Sequence, residues 1–240
     1  GMHVITCDYK PENPGHQFAD EYFNISTTDK EGVLKLAQQI KPDLVVAYAT
    51  DPATPVAAYV SEQLELSRNT YQSVRILAEK DLFRTLMADN GFNTPKVLTI
   101  KQNDNYLEAL ANLSLPLIVK PTDSSGSKGI RKIDSFNELD EAMEYALEFS
   151  RNKKVILEEF IDNEYADIHG DGFVVDGELK FACLGDHLYN RTTNPFNPIG
   201  TLWPTRHSDD LVEKVKEDVS QIIRLSGFQC GPINIEARVN

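Results

Sequence analysis

The chain has 240 residues, 41% of them hydrophobic, enough for one large or two small packed domains. Its 24 Lys and Arg against 37 Asp and Glu give a formal net charge of −13. That balance argues against nucleic acid or an anionic membrane as a partner, since both select basic surfaces, but it leaves room for a local basic pocket around a phosphorylated ligand. No apolar stretch approaches the roughly 20 residues of a membrane span, and no signal peptide is visible. Cys7, Cys183 and Cys230 are widely spaced, odd in number and set in apolar runs, so they read as reduced core thiols. The chain is therefore expected to be soluble and cytoplasmic, with Gly1 before Met2 a tag remnant.

His3-Val-Ile-Thr-Cys7 reads as a short strand, followed by a turn-rich loop from Lys10 to Gly15. Thr27-Thr-Asp29 supplies capping side chains for a helix whose stripe is Val33, Leu34, Ala37 and Ile40. Leu44-Val-Val-Ala-Tyr48 reads as a second buried strand, and Asp51-Pro52 opens another helix. Strand, helix, strand, helix suggests parallel βα units. No Gly-x-Gly-x-x-Gly follows the first strand, so a dinucleotide site there is not expected. A helix is predicted from Tyr71 to Asn90, ended by Gly91, and carries Glu79-Lys80-Asp81-Leu-Phe-Arg84; alone, Lys80 reads as a solvated helix residue. Thr94–Thr99 reads as a strand and Asp104–Ala111 as a short helix.

The stretch richest in chemistry is Pro116-Leu-Ile-Val-Lys-Pro-Thr-Asp-Ser-Ser-Gly-Ser-Lys-Gly129. Leu117–Val119 forms a buried strand that Pro121 stops, because proline cannot donate to a sheet. The loop beyond it combines small residues, which let backbone N–H groups approach an anion, with Lys120 and Lys128. It is not a Walker A loop, which needs a helix next; Ile130–Ile133 reads as a strand, giving a hairpin able to close over a nucleotide. An ordinary Ser/Gly surface loop is the other reading.

Ser135 and Glu138 form a capping box before a helix burying Phe136, Leu139, Met143, Ala146 and Leu147. Lys153–Leu157 is a strand running into Glu158-Glu-Phe-Ile161. Ala166–Leu188 alternates around Asp176-Gly177, a hairpin signal that pairs Phe173 and Val175 with Leu179, Phe181 and Cys183. Asn190–Pro204 reads as a long loop, Ser208–Ser226 as a helix burying Leu211, Val215, Val219 and Ile222. Pro232–Val239 then alternates apolar Ile233, Ile235, Ala237 and Val239 with Asn234, Glu236 and Arg238.

Lys80, Pro95 after Gly91, Leu117–Pro121, the Ser/Gly loop, Glu158–Ile161, Glu164 and Ile233-Asn-Ile-Glu236 occur in an order that resembles the ATP-grasp superfamily, of the carbamoyl-phosphate-synthetase and biotin-carboxylase type. The resemblance spans essentially the whole chain. It implies an α/β to α+β fold: a parallel βα pre-grasp domain (1–75) lacking its first βα unit, a linking helix and connector (76–112), a lid with the glycine-rich loop (113–160) and an incomplete antiparallel grasp subdomain (161–240). It also implies ATP and Mg2+ as cofactors. Lys80 and Lys120 would neutralise phosphates, and Ser124, Ser125, Gly126, Ser127 and Gly129 would close over them. Backbone groups of Glu159 and Ile161, within the hinge Glu158–Ile161, would read adenine while Phe160 packs. Glu164 would hold the ribose hydroxyls and Glu236 the magnesium. A solvated strand or turn position is the plainer reading of each carboxylate.

The implied activity is an ATP-dependent ligase that activates a carboxylate as an acyl phosphate for attack by an amine or similar nucleophile. Arg238 is the candidate for clamping a substrate carboxylate or phosphate, and Arg191, Trp203 and Arg206 are further candidates for substrate contact; Trp203 equally reads as structural. The second metal carboxylate belongs on a strand after Asn240, so the chain is expected to be a fragment or a protein without catalysis. A non-catalytic adenine-nucleotide-binding module is the alternative, and a plain α/β metabolite-binding domain a third reading. Partners are expected to be small carboxylate and amine substrates, with a homodimer one expectation at an unfinished sheet edge.

Overall fold

A computed structural model describes residues 1–48, 50–102, 104–162, 166–190 and 194–239, which form two compact units, Gly1–Arg75 and Ile76–Asn240. In the first unit β1 (Ile5–Asp8) pairs in parallel with β2 (Glu21–Asn24), Ile5 opposite Glu21. α1 (Lys30–Ile40) starts where the Asp29 carboxylate accepts the Gly32 N–H at 3.0 Å, satisfying one of the helix's orphan donors. α2 (Thr54–Gln63) follows the Asp51-Pro52 turn. Val33, Ala37, Val56 and Val60 form the core, with Cys7, Ile25 and Val45 packed on it.

Leu44–Tyr48 is not the second strand that its apolar run suggests. Val45 turns inward, whereas Leu44, Val46 and Tyr48 are 66%, 65% and 87% exposed. A buried parallel strand needs a hydrogen-bonded neighbour and a covering layer. Among the described residues this sheet holds only β1 and β2, so the run receives neither. The strand β2 was not foreseen, because Glu-Tyr-Phe-Asn alternates too briefly to stand out.

The predicted helix over Tyr71–Asn90 is two helices, α3 (Tyr71–Ala78) and α4 (Lys80–Asp89), separated by Glu79 in extended backbone. The break releases the Lys80 N–H from the helical ladder, and it donates to the Thr122 carbonyl at 3.0 Å. Asp81, buried in the first turn of α4, receives the Lys154 ammonium at 2.9 Å.

The second unit contains two four-stranded antiparallel sheets. In one, β3 (Val97–Lys101), β4 (Leu117–Pro121), β5 (Arg131–Ile133) and β6 (Lys154–Glu159) lie in the order β3-β6-β4-β5. The single turn α5 (Leu107–Leu110) and α6 (Leu139–Glu148) cover it, with Leu117, Val119, Ile133, Val155 and Leu157 meeting Leu139, Met143 and Ala146. The expected capping box is altered: Ser135 accepts from Asn137, the first turn is a 3-10 turn over Phe136–Glu138, and Phe136 stays exposed.

The other sheet runs β10-β7-β8-β9, from β7 (Asp167–Val175), β8 (Glu178–Asn190), β9 (Asn194–Leu202) and β10 (Gly231–Ala237). Asp176 and Gly177 both adopt left-handed backbone, the two-residue turn that matches strand twist. Phe173 faces Phe181 as expected, but a register shift after it puts Val175 opposite Glu178, and Cys183 stands opposite Asp171. Phe173, Val175 and Phe181 lie on the exposed side. Asn190–Pro204 is mostly a strand rather than a loop: β9 is an edge, where Pro195 and Pro198 need not donate, and its pairing with β8 slips twice. α7 (Asp209–Ser226), capped by Ser208 and closed by left-handed Gly227, covers one face through Leu211, Val215 and Val219 against Ile168, Leu184 and Ile235. On the opposite face the end of the sheet away from the Asp176-Gly177 turn carries the polar side chains Asp167, His169, His187 and Glu236.

The three cysteines are free, as expected, but they are not core residues: Cys7 is half-buried, Cys183 and Cys230 exposed. No helix among the described residues is long and apolar enough to cross a membrane.

Candidate functional site

Two groups of polar side chains gather in the second unit. The first is centred on Glu158, near the end of the central strand β6. Its carboxylate accepts from Arg84 Nε at 2.9 Å and from Lys120 Nζ at 2.6 Å. Burial pushes the Glu158 carboxyl up, but the Lys120 and Arg84 cations more than offset it and hold the group at about 2. Burial likewise lowers Lys120, helped by Arg84 and Arg238 and opposed by Glu158. Sequence reasoning quoted Arg84 without giving it a role; its signal was the four-residue spacing from Lys80, which places both on one helix face.

The glycine loop joins β4 to β5 immediately after Lys120. Lys80 Nζ donates to the Ser124 carbonyl at 2.5 Å, and Ser127 Oγ donates to the Phe196 carbonyl at 2.6 Å. Gly126, Ser127 and Gly129 all have positive φ, so the hairpin turns through a run of left-handed residues. At Gly129 a Cβ would stand 2.8 Å from Pro121 Cγ, so only glycine lets the loop fold back on the strand end. Ser125 is half-buried beside them. Lys80, Lys120 and the loop are thus brought together.

In Glu158–Ile161 the side chains serve the protein. Glu159 accepts the Ser114 N–H at 2.8 Å and gives its own N–H to the Lys96 carbonyl at 3.0 Å. The Phe160 ring has the Lys132 ammonium 5.0 Å and the Arg238 guanidinium 5.4 Å from its centre. Ile161 offers its carbonyl to Arg238 Nη1 at 3.3 Å.

Arg238 is engaged within the chain. Its fork is bidentate to Asp167, Nε at 3.2 Å and Nη2 at 3.0 Å, so it braces the end of β10 against the strand that follows the hinge. Arg206 is similarly engaged, donating through Nε at 2.8 Å to Asp186, a carboxylate on the helix-covered side of β8. Burial raises Asp186, and its bonds from Thr205 and Arg206 bring it below its ordinary value. Glu164 and Arg191 lie outside the described residues.

The second group occupies the polar face of β10-β7-β8. Glu236 stands opposite His169 in the register, and Asp167 opposite His187. The His169 and His187 rings stack at 4.0 Å, 13° from parallel, with Trp203 edge-on to His169 at 5.8 Å. Ligand atoms of His169, His187 and Glu236 all lie within 4.8 Å of one another. Tyr189 sits beside them, its hydroxyl hydrogen-bonded to Asp167 and 3.3 Å from His187 Nδ1; burial, Asp167 and Glu236 push its hydroxyl up. Of this group only Glu236 and Trp203 were singled out from sequence. The missed signal was the paired alternation Asp167/His169 and His187/Tyr189, which strand period 2 places on one face.

A family described as "D-ala D-ala ligase C-terminus" matches residues 86–176. A formate-dependent phosphoribosylglycinamide formyltransferase of Burkholderia vietnamiensis is 31% identical over 173 residues, covering 69% of this chain and 42% of that protein. The L-amino acid ligase of Bacillus licheniformis superposes with a TM-score of 0.78 at 21% identity, over 100% of this chain and 58% of that one. An N5-carboxyaminoimidazole synthetase of Staphylococcus aureus, complexed with ADP, gives 0.74 at 18% identity, over 98% and 60%. The chain spans less than half the length of the curated relatives it matches.

Proposed function

This chain belongs to the ATP-grasp superfamily, and we propose that it binds the adenine nucleotide for an ATP-dependent ligase joining a small carboxylate to an amine. The observation that supports this most is a glycine loop bonded by one ammonium group, with a second, buried one on the strand that enters it. Lys80, from α4, bonds to the Ser124 carbonyl, and Lys120, next to last in the strand that enters the loop, is held by Glu158.

In this reading the loop Ser124–Gly129 folds over the β- and γ-phosphates while Lys80 and Lys120 neutralise their charge. The Glu159 carbonyl and the Ile161 N–H read the adenine edge. Glu158 holds Lys120 and Arg84 in place, and Phe160 packs beneath. Arg238 positions the hinge through the Ile161 carbonyl. Transfer of the γ-phosphoryl group to a carboxylate oxygen would release ADP and give an acyl phosphate. The amine nitrogen would then attack the acyl carbon, phosphate would leave, and the amine's proton would pass to solvent. The chain's own part is positioning and charge neutralisation.

Magnesium is the ion the family implies at Glu236. The described residues fit it poorly: beside that one carboxylate stand two imidazoles, and Mg2+ prefers an all-oxygen octahedron. No step above is routed through it.

The test is a thermal-shift titration with ATP, ADP and GTP. Adenine nucleotides are expected to raise Tm more than GTP, and Lys120→Ala and Lys80→Ala each to abolish the rise while keeping the native far-UV spectrum. No stabilisation at millimolar nucleotide would overturn the binding assignment. Acyl-phosphate trapping by hydroxylamine in the presence of candidate carboxylates separates a ligase from a non-catalytic nucleotide-binding module.

A further inference from the structure

We propose that His169, His187 and Glu236 form a binding site for a divalent cation of the imidazole-preferring class, Zn2+ or Co2+, in place of magnesium alone. The proposal stands on these three side chains and does not depend on nucleotide binding.

Three strands deliver the donors to one place. Glu236 of β10 lies directly across from His169 of β7, and His187 of β8 stacks on His169 at 4.0 Å. Their ligand atoms fall within 4.8 Å of one another, while a tetrahedral ion with bonds near 2.1 Å wants its ligands about 3.4 Å apart. Closing the set takes side-chain rotations of about 1.4 Å that also turn the two stacked rings so that their in-plane lone pairs converge. Two nitrogens and one carboxylate with a fourth position open is the donor set of an exchangeable zinc-type site.

Two further observations point to a ligand. His169 Nδ1 is buried and has no hydrogen-bond partner among the described residues, an arrangement that is costly unless something else engages that nitrogen. His187 is held in one tautomer by a relay. Asp167 can only accept, so the Tyr189 hydroxyl donates to it. The Tyr189 oxygen is then left to accept from His187 Nδ1, 3.3 Å away. Nε2 of His187 therefore carries the lone pair. A carboxylate acting through a second group to orient a ligating imidazole is the supporting arrangement that metal sites use, and here Arg238 in turn fixes Asp167.

The experiment is titration of the tag-free, metal-stripped chain with Co2+ without nucleotide, followed by visible absorption. A d–d band characteristic of four- or five-coordinate nitrogen–oxygen ligation is expected at one equivalent. It should be displaced by stoichiometric Zn2+ but not by a hundredfold excess of Mg2+. His187→Gln and Glu236→Gln should each weaken Co2+ binding at least tenfold. Because a variant could be lost to misfolding, 15N NMR of the unaltered chain gives an independent reading: Zn2+ should shift the nitrogens of two of the five imidazoles. Absence of uptake, equal competition by Mg2+, a thiolate charge-transfer band placing the ion on Cys183 or Cys230, or Zn2+ that shifts no imidazole would each overturn the proposal. Since nucleotide is absent, none of these outcomes bears on the ATP assignment.

Discussion

Glu158 and Lys120 lie 2.6 Å apart on neighbouring strands, with Arg84 completing a buried cluster of two cations and one anion. The carboxyl is held at about 2 against an ordinary 4.5, so the folded chain binds this proton less tightly than the unfolded one. Its contribution is therefore fully present above about pH 4.5 and lost as pH falls toward 2, on the order of 3 kcal/mol in all. Lys120 acts at the other end of the scale. Its lowered pKa makes the folded chain bind that proton less tightly too, so stability rises as pH climbs toward 10.5. Urea denaturation as a function of pH should show the acid limb, and Glu158→Gln should flatten it. An unchanged acid limb in that variant would place the titrating group elsewhere.

The glycine loop permits a paired comparison. Gly126 and Gly129 share left-handed backbone, yet a Cβ at Gly126 meets nothing within 4 Å, whereas at Gly129 it meets Pro121 Cγ at 2.8 Å and Phe149 Cδ2 at 3.1 Å. Gly126→Ala should cost about 1 kcal/mol, the backbone penalty alone. Gly129→Ala adds overpacking and should cost about 2–4 kcal/mol. Chemical denaturation reads both. Equal costs would mean that the loop can lift away from Pro121.

How far sequence reached into this fold depended on whether a residue's partners are near in the chain. Ser208, Gly227 and Asp176-Gly177 act through their immediate neighbours, and all were legible. Leu44–Tyr48 and Asn190–Pro204 were misread in opposite directions because strand status depends on a distant neighbour: the apolar run has none, and the proline-bearing one sits against β8. The site divided in the same way. Lys80, Lys120 and the loop carry recognisable local chemistry. Arg84, Asp167, His169, His187 and Tyr189 acquire theirs only when α4, β6, β7, β8 and β10 are side by side. Arg238 was seen, but its partner Asp167 was not, because the pair forms only where the end of β10 meets β7.

Arg206 tests that distinction at a second arginine. Its bond to Asp186, a fully buried carboxylate that also accepts from Thr205, makes it a structural brace between β8 and the segment before α7. The guanidinium itself is largely solvent-exposed, so Arg206→Ala should cost only about 1 kcal/mol. Asp186→Ala should cost about 3 kcal/mol, since it strips the partners of a buried hydrogen-bonded carboxylate. Neither should alter nucleotide-induced stabilisation. A selective loss of that response in Arg206→Ala would return the residue to the ligand site.

The pair Arg238–Asp167 should behave as one unit. Arg238→Met takes the guanidinium away from a buried carboxylate, and Asp167→Asn takes away the charge that pairs with the guanidinium while leaving its bond to the Ile161 carbonyl in place. Each change should destabilise the chain by about 2–4 kcal/mol, as expected when one partner of a buried ion pair is removed. The double variant should be less damaging than the sum, with a coupling of about 1–3 kcal/mol. Because Arg238 also holds the hinge carbonyl, Arg238→Met should weaken adenine-nucleotide binding as well, whereas Asp167→Asn, which leaves that bond in place, should weaken it less. Calorimetric titration of both variants separates the two roles. Equal losses would mean that the ion pair, and not the bond to Ile161, sets the hinge, and additive stabilities would show that the bidentate contact contributes nothing of its own.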